Sequence, residues 1–148
     1  MLPSDNVYAR LAPSRISGIG LIAIKSIPED TVLFDYPSEF QEIRVSDIDL
    51  LPGSTKKLYD DFCIFEGTNA LCPVSFDRMD VSWYINHSTN PNCIYDEEKD
   101  EVRTIKYIEI GSELTLDYFK TFKDPRNYTD LTKGGTNSAK EIFNEEVK

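Results

Sequence analysis

The sequence is poor in histidine, tryptophan and cysteine, and each shortage narrows what the chain can be. Its 148 residues include one histidine, one tryptophan and three cysteines, which are Cys63, Cys72 and Cys93. The cysteines are odd in number and form no C-x-x-C pair, which argues against a disulfide framework and against a zinc knot. We therefore expect reduced thiols and no metal site.

Long apolar runs and a targeting pattern are also missing. No apolar run approaches the roughly 18 residues of a membrane span. The N-terminus, MLPSDNVYARLAPS, lacks the basic-then-apolar order of a secretory signal. These absences predict an intracellular, soluble chain with no membrane partner, and they do not separate the nucleus from the cytoplasm.

Positive charge is the other scarce feature. The chain has 16 Lys and Arg residues against 26 Asp and Glu residues, for a net charge of −10 at pH 7. Without a basic stripe that could release counterions, direct binding to nucleic acid is disfavoured. The acidity favours a basic protein or peptide as partner, but a solvated surface that only keeps the protein soluble would look the same. A homodimer is left open.

What the sequence does have is an aromatic-rich, mostly β pattern of one-domain length. Hydrophobic residues make up 40% of the chain, with 8 Tyr and 8 Phe among them. Short β-type segments separated by turn residues occupy 7–36 and return from Asp80, with a charged hairpin turn at 96–101. The pattern predicts several short sheets.

Residues 37–72 have a different character. Ser46 is a candidate N-cap for a short helix, and Pro52 followed by Gly53 is a helix breaker. This segment is therefore predicted to be a short helical insertion between the sheets.

The single histidine, His87, lies in the stretch WYINHSTNPNC. A metal site would need further ligands at defined spacing, and none lies within the first few residues on either side. A nucleophile pair with Ser88 or Cys93 would need an oxyanion-hole glycine loop, which is missing. Residue chemistry alone therefore favours a structural histidine with a backbone partner in a turn.

Three motifs give His87 a different context. The stretch NHSTNPNC resembles the N-H-S-x-x-P-N-C signature of SET-domain protein-lysine methyltransferases. SGIGLIAIKSIPEDTVLFDY resembles the opening segment of that family, and IEIGSELTLDYF resembles its closing segment, G-E-E-L-T-x-D-Y. A lone G-x-G pair would be weak evidence, but three motifs in the expected order over residues 7–119 are specific.

The resemblance implies a fold and a domain organisation. The fold would be mostly β, with several short sheets and a pseudoknot formed by the closing segment. The SET domain would cover 1–123 with 37–72 as a variable insertion, and 124–148 would form a C-terminal tail.

The resemblance also implies a function, which is transfer of a methyl group from S-adenosylmethionine to a lysine side chain of a basic protein. A histone is among the candidate substrates, which would connect the chain to chromatin. The backbone of Gly18, Ile19 and Gly20 would cradle the methionine part of the cofactor. Asn86 and His87 would hold its amino-acid end and its adenine. From residue chemistry alone, two explanations of the glycines are equally good: close approach of a ligand to the backbone, or positive φ in a hairpin.

Three tyrosines are assigned by the resemblance. Tyr118 matches the tyrosine at the methyl-transfer centre, where a phenol can align the reactants without a proton relay. Tyr36 and Tyr95 match tyrosines of the lysine channel in part of the family, although ordinary strand aromatics in a core would look the same. With both in place, we expect mainly the monomethyl product.

The chain departs from the family pattern in three places. Trp83 stands where many relatives have arginine, Ser112 replaces the first acidic residue of the closing motif, and the cysteine-rich zinc segment after the catalytic tyrosine is missing. We expect aromatic residues of the tail to close the site instead, with 119–128 packed on the cofactor side and 129–140 mobile.

The role of two acidic residues and the rival functions of the whole chain remain to be stated. Glu113 and Asp117 lie four residues apart in the closing segment, and we assign both to structural roles, such as hydrogen bonds to nearby backbone. The rival for the whole chain is a catalytically silent SET-like module that binds a peptide. A third alternative is methylation of a small amine or of a non-histone protein.

Overall fold

A computed structural model of the chain describes residues 1–35 and 39–128. Ten short strands form four small sheets in this part, and the helical segments are few and short, which confirms the predicted β fold. None of the helices in these residues has the length and apolar character that crossing a membrane requires.

The strands of the described residues are β1 (Ala9–Pro13), β2 (Ile19–Ala23), β3 (Val32–Phe34), β4 (Phe40–Arg44), β5 (Ile64–Glu66), β6 (Asn69–Pro73), β7 (Asn86–His87), β8 (Cys93–Asp96), β9 (Glu101–Thr104) and β10 (Thr115–Leu116). The α-helices are α1 (Val45–Ile48), α2 (Gly53–Phe62) and α3 (Tyr118–Thr121). Single turns of 3-10 helix lie at Phe76–Arg78, Val81–Tyr84 and Pro125–Asn127.

The chain divides into two compact units that each combine two separate stretches. Among the described residues, the first unit contains 1–35 and 80–121, and the second unit contains 39–79 and 122–128. The boundaries of these units differ from the predicted boundary between the SET domain, 1–123, and the tail, 124–148. Residues 129–148, which include the segment 129–140 that is predicted to be mobile, lie outside the described residues.

The first unit is built from three sheets: the β1–β2 hairpin, the three-stranded sheet β3-β9-β8 and the parallel pair β10–β7. Strands β8 and β9 join at the predicted charged turn, where Asp100 has a φ of 50°. The fully buried side chains of this unit include Leu21, Ile27 and Leu114. Their burial fixes β2 against the closing segment, because both elements contribute to one core.

The closing segment crosses from β2 to β7. The amide of Leu114 donates to the carbonyl of Leu21 at 2.8 Å, and β10 then pairs in parallel with β7, so that Leu116 lies opposite His87. Asn92 fixes this crossing, because its Nδ2 donates to the carbonyl of Glu113 at 2.8 Å. Such a course agrees with the predicted pseudoknot.

One β prediction in the first unit is wrong. The segment VSWYINH was expected to be a strand, but Val81–Tyr84 forms a 3-10 turn and only Asn86 and His87 are extended. The carboxylate of Asp80 accepts the amide of Ser82 at 2.9 Å, which caps the turn and competes with a strand ladder.

The second unit is a three-stranded antiparallel sheet, β4-β6-β5, with α2. Its core is a separate cluster of buried side chains, which are Ile48, Cys63, Phe65, Ala70 and Cys72. The predicted insertion therefore contains a sheet as well as helices. Ser46 is not an N-cap, because α1 already begins at Val45 and Arg44 is the capping residue. Pro52 does separate the two helices, as the residue before α2.

Residues 124–128, which we call the strap, border β5 within the second unit. The side-chain amide of Asn127 pairs with both backbone groups of Phe65: its Oδ1 accepts the N–H at 2.6 Å and its Nδ2 donates to the carbonyl at 2.9 Å. Arg126 adds a hydrogen bond to the carbonyl of Gly67 and lies over the ring of Phe65. The strap thus satisfies the outer edge of β5, which would otherwise be unpaired.

Candidate active site

The turn between β1 and β2 is closed by its own backbone and by one serine. The amide of Ser14 donates to the carbonyl of Gly18 at 2.8 Å, and the Ser14 hydroxyl accepts the amides of Ile16 and Ser17 at 2.8 and 3.1 Å. Gly18 has a φ of 52°, in the left-handed region that favours glycine. The first glycine of the G-x-G pair therefore serves the turn.

The second glycine serves close packing. Gly20 is buried in β2, and a Cβ atom placed on it would lie 2.6 Å from Oε2 of Glu113. No real Cβ contact is that short, so any side chain at this position would displace the carboxylate. Positive φ thus explains the first glycine, and close approach of the Glu113 carboxylate explains the second.

Asn86 anchors this turn to β7. Its Nδ2 lies within hydrogen-bond distance of the Ser14 hydroxyl at 3.0 Å, the Ser17 carbonyl at 2.9 Å, the Ile19 carbonyl at 3.4 Å and Oε2 of Glu113 at 2.9 Å. Every described hydrogen bond of the Asn86 side chain uses Nδ2. The amide is therefore oriented with its nitrogen toward the turn.

The imidazole of His87 is bonded to the closing segment. Its Nδ1 accepts the backbone N–H of Tyr118 at 2.9 Å, which puts the proton of the neutral ring on Nε2. The ring also packs edge-on against Phe119, with ring centroids 4.6 Å apart. Nδ1 lies 3.9 Å from Oδ1 of Asp117. The side chain thus positions the residues around Tyr118.

The main-chain N–H of His87 points away from β10. The amide of Ser88 donates to the carbonyl of Leu116 in β10 at 2.9 Å. Successive N–H groups in a strand point in opposite directions, so the N–H of His87 points away from β10. Within the described residues, β7 pairs with β10 alone, which leaves that edge open to a planar hydrogen-bonding ligand.

Tyr118 opens α3 directly after the closing strand. Its hydroxyl donates to the carbonyl of Ile85, one residue before β7. Burial raises the pKa of the Tyr118 phenol well above its ordinary value, and the negative charge of Glu113 raises it further. The hydroxyl therefore keeps its proton at neutral pH. Asp117 caps α3, because its Oδ1 accepts the amide of Phe119 at 3.0 Å, which agrees with the structural role assigned to it.

The two predicted channel tyrosines have a different status. Tyr36 lies outside the described residues. Tyr95 lies on β8 with 36% of its surface exposed, and its hydroxyl donates to Oδ1 of Asp100 at 2.6 Å. Burial and the neighbouring carboxylates raise the pKa of Tyr95 to about 12. Its hydroxyl is thus bonded within the β8–β9 hairpin, and its place in a channel stays a prediction.

The sequence did not show how two residues of this site are bonded. Glu113 was given a structural role, such as bonding nearby backbone, and its carboxylate joins the side chains of Ser14 and Asn86. Ser14 was not singled out at all. A serine directly before a glycine turn is a usable signal, because its hydroxyl can accept the amides of the turn.

Metal-binding clusters are lacking in the described part of the chain. No group of three or more His, Cys, Asp or Glu residues among 1–35 and 39–128 is placed to hold a metal ion. A pocket on the second unit is lined by Glu42, Glu66, Asn69, Ala70 and Leu71, and it contains none of the predicted site residues.

Comparisons with known proteins agree with the motifs. A family model described as the SET domain matches residues 18–119. Histone-lysine N-methyltransferase trr of Drosophila melanogaster is 30% identical over 148 residues, which covers 92% of this chain and 6% of that protein. Histone-lysine N-methyltransferase 2D of Homo sapiens is 29% identical over 146 residues, covering 92% of this chain and 2% of that protein. The chain thus spans a small fraction of the length of these relatives.

Proposed function

Since the chain belongs to the SET-domain family, we propose that it transfers a methyl group from S-adenosylmethionine to the side-chain amine of a lysine in a protein. The observation that carries this proposal is the convergence of three motifs on one place. The glycine turn, Asn86 and His87 of β7, and Tyr118 are joined by direct hydrogen bonds. A module without a cofactor has no need of that arrangement.

The described residues fit the methionine part of the cofactor. Oδ1 of Asn86 remains available as an acceptor, because the described hydrogen bonds of this side chain all use Nδ2. The cofactor carries an ammonium group, which needs acceptors. Gly18 and Ile19 are both exposed, so the backbone of the turn can be approached from solvent.

The open edge of β7 fits the adenine. The outward N–H of His87 is a donor, and its carbonyl is an acceptor, on an edge that pairs with no described strand. A purine presents a donor and an acceptor side by side, which matches such an edge. We therefore assign His87 two roles: its main chain binds the base, and its imidazole positions Tyr118.

Tyr118 would align the substrate amine. When bound, the cofactor supplies an electrophilic methyl group on a sulfonium. The hydroxyl of Tyr118 is held protonated and fixed to the carbonyl of Ile85, which gives a rigid polar group beside β7. Alignment and exclusion of water account for most of what an enzyme must do in such a displacement.

The substrate class follows from charge and from the relatives. A net charge of −10 complements a lysine-rich protein. The relatives above are named as histone-lysine methyltransferases, and one from Schizosaccharomyces pombe, 28% identical over 112 residues (72% of this chain, 12% of that protein), is named as specific for lysine 4 of histone H3. We propose a histone tail as the first substrate to test, with Tyr36 and Tyr95 limiting the product to monomethyl-lysine.

The decisive experiment uses isotope-labelled S-adenosylmethionine with a panel of histones and other basic proteins, read by mass spectrometry. Label on a lysine, lost in the Tyr118→Phe variant, is the expected result. Calorimetric binding of the cofactor without transfer to any protein or small amine would favour the silent module. No binding at millimolar cofactor would refute the proposal.

A further inference from the structure

Glu113 is brought to the glycine turn by the backbone around it. The amide of Ala23 donates to the carbonyl of Ser112, and that of Leu114 donates to the carbonyl of Leu21, both at 2.8 Å. Glu113 is bridged to Ile22 between them. This antiparallel run places the half-buried carboxylate over Gly20, in the space that a Cβ atom would occupy.

The carboxylate has neutral partners only. Its Oε1 accepts the hydroxyl of Ser14 at 2.7 Å and its Oε2 accepts the amide of Asn86 at 2.9 Å. Among the described residues, no lysine, arginine or histidine forms an ion pair with it. A carboxylate can accept about four hydrogen bonds, so about two positions remain. Partial burial without a counter-charge is unfavourable, which makes the site selective for a cation.

The groups around the Glu113 carboxylate include more hydrogen-bond acceptors than donors. Four acceptor atoms converge on Nδ2 of Asn86: one each from Ser14, Ser17, Ile19 and Glu113. An amide nitrogen has two N–H groups, so it cannot satisfy four acceptors at full strength. A ligand that brings three N–H donors and a positive charge would complement this cluster.

We propose that Glu113 directly binds the α-ammonium group of the cofactor's methionine part, together with the neighbouring backbone acceptor of Ile19. This inference rests on the proposed function, because it names a residue that recognises the same cofactor. It also assigns a purpose to Gly20: the missing side chain allows the carboxylate to reach the turn from the closing segment.

The test compares two ligands by calorimetry, with no methyl transfer involved. One is S-adenosylhomocysteine, and the other is its analogue that lacks only the α-amino group. Glu113→Gln should weaken the first ligand about tenfold or more and the second by no more than about twofold, since only the first presents a charge to residue 113. Glu109→Gln is the matched control, because Glu109 is exposed in the same segment, and it should leave both affinities unchanged.

The outcomes separate the inference from the function. If Glu113→Gln weakens both ligands equally, or neither, Glu113 is a support of the turn and the inference is overturned while the proposed function stands. If the wild-type protein binds neither ligand, both are overturned. Should Glu113→Gln fail to unfold cooperatively, Glu113→Asp replaces it: the shortened carboxylate should weaken the amine-bearing ligand alone, and an equal loss for both ligands overturns the inference.

Discussion

The predicted site in the first unit and the surface of α2 in the second unit use their polar side chains in opposite ways. In the first unit, the hydroxyl of Ser14 reaches the carboxylate of Glu113 across 99 positions of sequence. In the second unit, α2 carries local ion pairs from Lys56 to Asp60 and from Lys57 to Asp61, each four residues apart. Local pairs on a helix surface contribute a few tenths of a kcal/mol. Polar groups that meet across the chain, by contrast, define one geometry and tolerate little change.

The cores of the two units also differ in their relation to the site. Tyr118 packs against the core of the first unit. The second unit buries Cys63 and Cys72 in its own small cluster, and burial raises the pKa of both thiols, so they behave as apolar side chains. None of the predicted site residues belongs to that cluster. We infer that the sequence of the second unit can change while the site is kept, which agrees with a variable insertion.

The largest difference between the units should come from removing one hydroxyl in each. Tyr118→Phe should lower turnover by roughly two orders of magnitude and keep cofactor affinity within a few-fold. Tyr59→Phe removes a hydroxyl from the second unit, where Tyr59 packs edge-on against Phe76, and turnover should not change. Steady-state kinetics with calorimetry test both. Wild-type turnover in Tyr118→Phe would remove this residue from the centre.

The next effect concerns one glycine in each unit. Gly20→Ala forces a Cβ against the carboxylate of Glu113, 2.6 Å away, and should weaken cofactor binding about tenfold. Gly67→Ala meets no atom within 4 Å, but its φ of 63° disfavours alanine. It should therefore lower the free energy of unfolding by about 1 kcal/mol and leave cofactor affinity unchanged. Equal cofactor affinities for the two variants would show that Gly20 is no more important for cofactor binding than Gly67.

At the strap, an effect on stability alone is expected. Asn127→Ala leaves the N–H and carbonyl of Phe65 without their side-chain partner, which should lower the free energy of unfolding by about 1–2 kcal/mol. Asn90→Ala is the control, because Asn90 is exposed in a turn of the first unit. Urea unfolding measures both. A loss no larger than that of the control would show that the strap does not stabilise β5.

The sequence predicted the first unit better than the second, because the signals used for the two were of different kinds. The β1–β2 and β8–β9 hairpins follow from turn residues that act locally. Strands β4, β5 and β6 were missed because the interpretation of 37–72 rested on a candidate helix cap and a helix breaker, although these strands are as short as those of the first unit. Ser46 resembled a cap, yet α1 had already begun at Val45.

Within the site, motif spacing identified residues but not their contacts. The assignment of His87 to the cofactor stays a prediction, and the sequence did not show that its ring accepts the amide of Tyr118, 31 positions away. Glu113 was given a structural role, without its partners Ser14 and Asn86. Both contacts depend on how the closing segment lies beside β2 and β7, and no local pattern contains that information.

The smallest expected effect concerns the hydroxyl of Tyr95 in the first unit, outside the hydrogen-bonded site. Its pKa is raised to about 12, so the folded protein holds this proton more tightly than the unfolded chain, where the pKa is about 10. The resulting stability is present below pH 10 and is lost as the pH rises toward 12. Tyr95→Phe should therefore flatten the fall in stability over this range, measured by urea unfolding at pH 9 and pH 11. Identical slopes for the variant and the wild type would mean that neither burial nor the bond to Asp100 holds the proton, and the hydroxyl of Tyr95 would then be available to the lysine channel.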